Sequence, residues 1–259
     1  MKLPCFHVDA FASEAFAGNP AGVCLLEQWL SGDLLQKIAA ENNLPETAFL
    51  VPKGSEFELR WFSPAAEIDL CGHATLASAF VLFEFRGQKG DAIAFHTRSG
   101  VLKVARSNDL FILDFPARPA VACDLPDGLS GGLGKNPLEI LKARDYLAVF
   151  ANEEEVLALK PDFARLAALD CLGVIVTAPG RDCDFVSRFF APSIGVNEDP
   201  VTGSAHCTLI PYWSPRLGKA QLYARQRSAR GGELFCEDRG GRVMIGGRAV
   251  LYATGEIHL

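Results

Sequence analysis

An internal repeat is the feature that most restricts how this chain can fold. Three short segments recur in the same order, at an interval that grows by only a few residues: Arg60–Pro64 with Arg188–Pro192, Gly72–Ala74 with Gly203–Ala205, and Arg98–Gly100 with Arg230–Gly232. Repeat units of solenoids run to roughly 20–50 residues, so halves of this length indicate a duplicated domain. We predict two similar domains, residues 1–117 and 118–259, joined near Phe115–Ala120, with the last strand free to pack back on the first domain.

Each half combines strand patterns with one buried helix, which is typical of an α+β fold. Phe6–Phe11 and Phe57–Phe62 alternate like strands, and residues 31–41 have the pattern of an amphipathic helix with Ser31 at its N-cap. Ala74–Phe85 has the apolar spacing of a buried helix. Turn residues between Ile93 and Phe115 predict three short strands in a meander.

Composition excludes several classes of protein. Of the 259 residues, 49% are apolar, which suits packed cores, and the net charge of −6 without a Lys/Arg cluster argues against binding to nucleic acid or anionic membranes. No apolar run approaches the roughly 18 residues of a membrane span, and no secretory signal is visible. The eight cysteines show no CxxC pair and no zinc-type spacing, so we expect a reduced, cytoplasmic compartment and a small substrate.

Polar residues gather where the first buried helix begins. Asp69, Cys71 and His73 surround a turn at Gly72, and the first N–H groups of a helix can hold a carboxylate or phosphate. The alternative is a capped helix start with a hydrogen-bonded core histidine. The cluster is therefore a candidate anion site.

The second half repeats this arrangement around Gly203. The polar residues here are Asp199, Thr202, Ser204 and His206. The alternative to a role in the site is a structural one, in which Ser204 caps the helix and Asp199 forms a turn. If both halves present a helix N-terminus to one cleft between the domains, an anionic substrate would lie between Gly72 and Gly203.

Three further segments carry predictions about the site. Glu46 lies where a loop is predicted to lead into a buried strand. A partly desolvated carboxylate at this place is suited to general acid/base catalysis. The alternative is an exposed residue at the start of a strand. Asn19 lies in a predicted loop, residues 18–22, where it either reaches a ligand or satisfies its own backbone. The glycine-rich tract at 128–134 is predicted to be a mobile loop that could shape the cleft; it matches neither a P-loop nor a dinucleotide fingerprint.

The residue types limit the chemistry. A two-thiol racemase would need a cysteine in each half, but aligning Gly72 with Gly203 places Thr202 opposite Cys71, and a threonine hydroxyl is not a base near neutral pH. A Ser-His-Asp hydrolase lacks the Gly-x-Ser-x-Gly elbow, and a metal site using His73 and His206 lacks a spacing signature. One-sided proton transfer by a carboxylate or histidine is favoured.

Four motifs in this order resemble the PhzF family of phenazine-biosynthesis isomerases and their relatives. They are Gly18–Pro20, Leu44–Thr47, Asp69–Thr75 and Glu198–Ala205. The resemblance covers nearly the whole chain. It implies the diaminopimelate epimerase fold, with two pseudo-symmetric domains, each a curved, mostly antiparallel sheet around a central helix.

The resemblance also implies an activity and roles for residues. Glu46 would be the general acid/base of a proton transfer that needs no metal or organic cofactor, and His73 and Asp199 would orient the substrate and Glu46. Ser204 and the N–H groups near Gly72 and Gly203 would hold the substrate carboxylate. Other expected substrate contacts are Asn19, Asp69 and Thr202. A homodimer fits the family, the substrate is not identified, and the alternative is a non-enzymatic protein that binds a small carboxylate or a partner on the same fold.

Overall fold

The computed structural model describes residues 1–259 and contains eighteen strands and six α-helices. The strands are β1 (Lys2–Ala10), β2 (Asn19–Leu25), β3 (Glu46–Lys53), β4 (Glu56–Phe62), β5 (Glu67–Ile68), β6 (Ala92–Thr97), β7 (Gly100–Ser107), β8 (Leu110–Pro116), β9 (Val121–Ala122), β10 (Glu139–Lys142), β11 (Tyr146–Val149), β12 (Val174–Pro179), β13 (Phe185–Ala191), β14 (Val196–Asp199), β15 (Gln221–Gln226), β16 (Gly232–Asp238), β17 (Arg242–Gly247) and β18 (Ala249–His258). The helices are α1 (Gly32–Asn42), α2 (Gly72–Phe85), α3 (Leu129–Leu133), α4 (Glu153–Ala158), α5 (Phe163–Ala167) and α6 (Gly203–Leu217). None of them combines the length and the apolar character that crossing a bilayer would require.

The chain divides into two compact units. The first contains Met1–Asp114 together with Gly246–Leu259, and the second contains Phe115–Ile245. The predicted boundary after residue 117 lies three residues beyond Asp114, and Gly246–Leu259, predicted as part of the second domain, belong to the first unit.

In the first unit, α2 lies against a sheet of mixed strand direction. Along the sheet, β1 pairs antiparallel with β2, β2 parallel with β3, β3 antiparallel with β4, β4 parallel with β6, and β6 antiparallel with β7. Strand β18 pairs antiparallel with the other edge of β1. Most of α2 is buried on every side, as its uniformly apolar sequence predicts. Helix α1 begins at the predicted cap, where Ser31 Oγ accepts a hydrogen bond from the Leu34 N–H.

The second unit repeats the same order of pairings. Strand β10 pairs antiparallel with β11, β11 parallel with β12, β12 antiparallel with β13, β13 parallel with β15, and β15 antiparallel with β16. Helix α6 lies against β15 and β16. The repeat in the sequence is thus a repeat of sheet topology, and the α+β class is confirmed.

An arginine–glutamate pair occupies the same place in both units. Arg60 on β4 binds Glu67 through two nitrogen atoms at 2.7 and 2.8 Å, and Arg188 on β13 binds Glu198 at 2.7 and 3.0 Å. Both pairs come from the recurring Arg-aromatic-Phe segments, and each glutamate lies five residues before the glycine that starts the buried helix. The pair therefore ties the strand to the segment that leads into α2 or α6.

Two sequence predictions about loops are wrong. Residues 19–22 do not form a loop, because β2 begins at Asn19 and pairs with β1 from there onward. The tract at 128–134 is a short helix whose Leu129 and Leu133 are fully buried. Gly128 and Gly134 flank it with φ of 88° and 76°, a backbone conformation that favours glycine, so these glycines cap a packed helix.

Candidate active site

Glu46 is the first residue of β3, as the sequence predicted. The strand pairs in parallel with β2, where Ala21 is the neighbour of Glu46, and the strand residues that follow are buried. The side chain of Glu46 is 15% exposed. The fold therefore holds a carboxylate at the end of a buried strand, with one side still open to solvent.

The carboxylate of Glu46 lies against the first turn of α2. His73 Nε2 is 3.0 Å from Glu46 Oε2, and the His73 side chain is only 7% exposed. The thiol of Cys71, the N-cap residue, is 3.6 Å from His73 Nδ1. The structure thus brings together Glu46, which comes from β3, and Cys71 and His73, which come from the start of α2.

Burial and neighbouring groups act in opposite directions on His73. Burial is the largest influence on its pKa and by itself would lower it, but Cys71 and Glu46 outweigh burial and raise the pKa of His73 well above its usual value. The pKa of the Cys71 thiol is raised, mainly because the thiol is buried, although the nearby His73 opposes this. The raised pKa and the 3.0 Å contact both favour the protonated form of His73, which donates to Glu46.

The same three side chains are also close enough to bind a metal ion. Their ligand atoms lie within 4.8 Å of one another. His73 and Glu46 already pair directly at hydrogen-bonding distance, and a thiol with a raised pKa is a poor metal ligand until it loses its proton. We therefore assign no metal to the cluster.

Two further predicted substrate contacts belong to this unit. Asp69 is exposed, and its backbone carbonyl accepts a hydrogen bond from Ser99 Oγ at 2.7 Å. Asn19 is fully buried as the first residue of β2, opposite Ala10. For both residues, substrate binding stays a prediction.

In the second unit, polar residues before α6 form a hydrogen-bonded network. Thr202 Oγ1 donates to Asp199 Oδ2 at 2.5 Å, and Gln226 accepts from the Thr202 N–H at 2.9 Å. Gln226 also donates to the Asp199 carbonyl at 2.8 Å. Gln226 is fully buried and fixes both residues, but it lies far along the chain, so no local motif indicated it.

Ser204, in the first turn of α6, has a cationic neighbour that the sequence did not suggest. Arg144 Nη2 donates to Ser204 Oγ at 3.1 Å. The same guanidinium contacts both carboxylate oxygens of Asp145, which is only 2% exposed. A buried aspartate thus holds Arg144 in place, and the guanidinium adds positive charge at the start of α6.

His206 does not join these groups. Its Nδ1 lies 2.9 Å from the carbonyl oxygen of Thr202, one helical turn earlier, and burial lowers its pKa to about 4. In the first unit, Thr75 makes the equivalent bond to the Cys71 carbonyl at 2.5 Å. Alignment of Thr75 with His206 would have revealed this structural role from the sequence.

Neither buried helix has a side-chain cap at its start. Cys71 and Thr202 occupy the N-cap positions, and neither side chain accepts a hydrogen bond from the first turn. The Thr202 hydroxyl is instead directed to Asp199. Both helix starts thus keep the backbone character of an anion site.

Comparison with known proteins gives one consistent result. The family model described as phenazine biosynthesis-like protein matches residues 8–255. An uncharacterized isomerase of Pseudomonas aeruginosa is 54% identical over the full length of both chains. The crystal structure of a phenazine biosynthesis protein of the PhzF family from Enterococcus faecalis is 49% identical, with a TM-score of 0.98 over all of both chains.

A more distant likeness concerns the fold alone. A hydroxyproline epimerase from Agrobacterium vitis, solved with bound trans-4-hydroxy-L-proline, has a TM-score of 0.61 at 10% identity. The match covers 99% of this chain and 92% of the epimerase. The expected diaminopimelate epimerase-like fold is confirmed.

Proposed function

Because the chain belongs to the phenazine biosynthesis-like protein family, we propose that it is a cofactor-independent isomerase in which Glu46 moves a proton on a small carboxylate. Family membership and the epimerase-like fold support isomerase or epimerase chemistry in general. The finer assignment rests on one observation, the half-buried Glu46 carboxylate 3.0 Å from a buried histidine whose pKa is raised.

The proton transfer needs only the groups of this cluster. Glu46 takes a proton from a carbon next to an unsaturated or carboxylate group, and the electron pair of the broken C–H bond moves into the conjugated system. Protonated Glu46 then returns the proton to another carbon, so no oxidant or reductant is required. The cationic His73 orients Glu46 and offsets the negative charge that develops in the substrate.

The substrate carboxylate is assigned to the helix starts. The uncapped N–H groups after Gly72 and Gly203 suit a carboxylate, and Ser204 with Arg144 adds a hydroxyl and a guanidinium at the second of them. The Asp199 side chain, held by Thr202, would orient the substrate. The proposal keeps the expectation that one substrate contacts residues of both units, and it keeps Asn19 and Asp69 as further contacts.

Proton–deuterium exchange tests the proposal. Wild-type protein would be incubated in heavy water with a panel of small cyclic and unsaturated carboxylates, including 2,3-dihydro-3-hydroxyanthranilate, and followed by NMR. We expect exchange at defined carbons of at least one compound, lost in Glu46→Gln. Glu41→Gln is the matched control, because Glu41 is an exposed carboxylate in the same unit and its loss should leave exchange unchanged.

Two results would count against the proposal. Exchange that persists in Glu46→Gln would remove Glu46 from the role of acid/base. Binding of a panel compound without exchange in the wild type would favour the alternative, a protein that binds carboxylates without acting on them.

A further inference from the structure

Two cysteines of the first unit face each other across neighbouring strands. Cys5 on β1 is directly opposite Cys24 on β2, and their Sγ atoms are 3.3 Å apart, with the Cys24 thiol donating to Cys5. None of the other six cysteines hydrogen-bonds to a second thiol. We propose that Cys5 and Cys24 are a site of reversible oxidation, where a low-molecular-weight disulfide converts the two thiols into an intrachain disulfide.

The strand geometry permits this bond. Directly opposed residues of antiparallel strands have Cα atoms about 4.5–5.5 Å apart, within the range of roughly 4.4–6.8 Å seen in disulfides. Cys5 and Cys24 also point to the same face of the sheet, where both contact one apolar cluster. Closure from 3.3 Å to a bond of about 2.05 Å requires small side-chain movements and no change of register.

The two thiols differ in access. Cys24 is fully buried, whereas Cys5 is half-buried. Leu3 and Leu26, two residues from Cys5 and Cys24 on the same face, line a cavity of about 500 Å³. The cysteines themselves do not line it, and because Cys5 is the less buried of the two, it is the thiol that an oxidant meets first.

The hydrogen bond between the thiols supports the same order of reaction. It lowers the pKa of Cys5, although burial of Cys5 works against this. The same bond, together with burial, raises the pKa of Cys24. Because the thiolate is the nucleophile, Cys5 is the attacking residue and Cys24 resolves.

The reaction with oxidised glutathione balances in two steps. The Cys5 thiolate attacks one sulfur of glutathione disulfide, breaks its S–S bond and releases one glutathione thiolate, leaving a mixed disulfide. Cys24 then loses its proton to solvent and attacks Cys5 Sγ, releasing the second glutathione. The two protein thiols lose two electrons and glutathione disulfide gains them, and reduced thiols reverse the process.

The bond would tie together the strands that carry part of the candidate active site. The pairing of β1 with β2 runs from Cys5 and Cys24 to Ala10 and Asn19, and β2 is also the parallel neighbour of the strand that begins at Glu46. Oxidation would therefore fix this hairpin from its open end. The oxidation proposal is independent of the proposed isomerase activity.

The test uses the full-length protein in buffers of oxidised and reduced glutathione. After an acid quench, remaining thiols are alkylated under denaturing conditions, and the chain is cleaved after Lys2, Glu14 and Glu27 and examined by mass spectrometry. We expect the fragments on either side of Glu14 to be joined through Cys5 and Cys24, and to separate on reduction. Two results in fully oxidised buffer would overturn the proposal. One is alkylation of both cysteines, and the other is glutathione that stays bound to Cys5 without further reaction.

Two variants separate the roles of the thiols. In Cys24→Ala, we expect Cys5 to stop at the mixed disulfide with glutathione. In Cys5→Ala, Cys24 should remain reduced, because it is buried. Modification of Cys24 at the wild-type rate in Cys5→Ala would contradict the assignment of Cys5 as the attacking thiol, and the wild-type measurement stands even if one variant folds poorly.

Discussion

The helices that begin at Gly72 and Gly203 share a backbone frame but differ in the chemistry of their first turns. Both follow an arginine–glutamate pair and start without a side-chain cap. In the first unit the flanking residues are Cys71 and His73, and in the second they are Thr202 and Ser204.

The difference extends to the neighbouring strand. Glu46 starts β3 in the first unit, whereas the pairing of β12 with β13 places Gly173 at the corresponding position in the second. The duplicated fold thus keeps two helix starts suited to anions, but only the first has a carboxylate and a histidine in contact. Both units therefore have the same backbone frame, but only the first contains the acid/base pair of the proposed mechanism.

The largest expected effect comes from making the first helix start resemble the second. His73→Ser should slow proton exchange about 100-fold or more, because Glu46 loses the cation that orients it. The assay is exchange in heavy water. The control is His96→Ser, which breaks another histidine–glutamate pair, 2.5 Å long, on a partly exposed strand. An equal loss in both variants would mean that the effect is general destabilisation.

The shared arginine–glutamate pair tests the common frame. Arg60→Met and Arg188→Met should each lower the free energy of unfolding by about 2–3 kcal/mol, because each removes the guanidinium that binds a half-buried glutamate through two nitrogen atoms. Glu67 keeps a contact with Arg98 at 2.7 Å. Arg188 also donates to the carbonyls of Val156 and Leu159, so its loss should cost more than that of Arg60. Chemical denaturation measures both. A larger loss in Arg60→Met would contradict the structural account.

A substitution of His206 should change the stability of the protein and leave proton exchange unchanged. The pKa of His206 in the folded chain is about 4, below the ordinary value of 6.5. As the pH falls, His206 is therefore protonated in the unfolded chain before it is protonated in the folded chain. The contribution of His206 to the free energy of unfolding is fully present above pH 6.5 and is lost on acidification, by about 2 kcal/mol at pH 5. His206→Thr, which copies Thr75, should remove this contribution without changing exchange at pH 7. Unfolding curves at pH 7 and pH 5 would show it, and an unchanged pH dependence would contradict it.

The smallest effect is expected at Arg144. Arg144→Met should raise the KM for a carboxylate substrate about 10-fold with little change in kcat, because the residue binds without moving the proton. Arg144→Lys should recover part of the loss, since it keeps the charge but not the two-nitrogen contact with Asp145. Arg165→Met, at an exposed arginine of the same unit, is the control. A fall in kcat alone would argue against a binding role.

Features set by local sequence were predicted well. The cap at Ser31, the strand start at Glu46 and the helix starts at Gly72 and Gly203 all follow from neighbouring residues. Local sequence failed at 128–134, where glycines that usually indicate a loop cap a short helix.

Contacts between distant segments could not be predicted in this way. Arg144 meets Ser204, and Gln226 meets Thr202, only because the sheet brings their strands together. The proximity of Glu46 to His73 was expected from the resemblance to a family and not from spacing. His206 shows the opposite error, since a polar residue near a helix start was counted with the site although it bonds within the helix.

The face on which hydrogen is exchanged tests the central claim, that one base in the first unit transfers the proton. A compound that exchanges would be converted in heavy water, and NMR would establish the face from which the proton leaves and the face to which deuterium is added. If Glu46 alone acts, both events occur on the same face of the substrate. Addition on the opposite face would require a second base and would contradict the account.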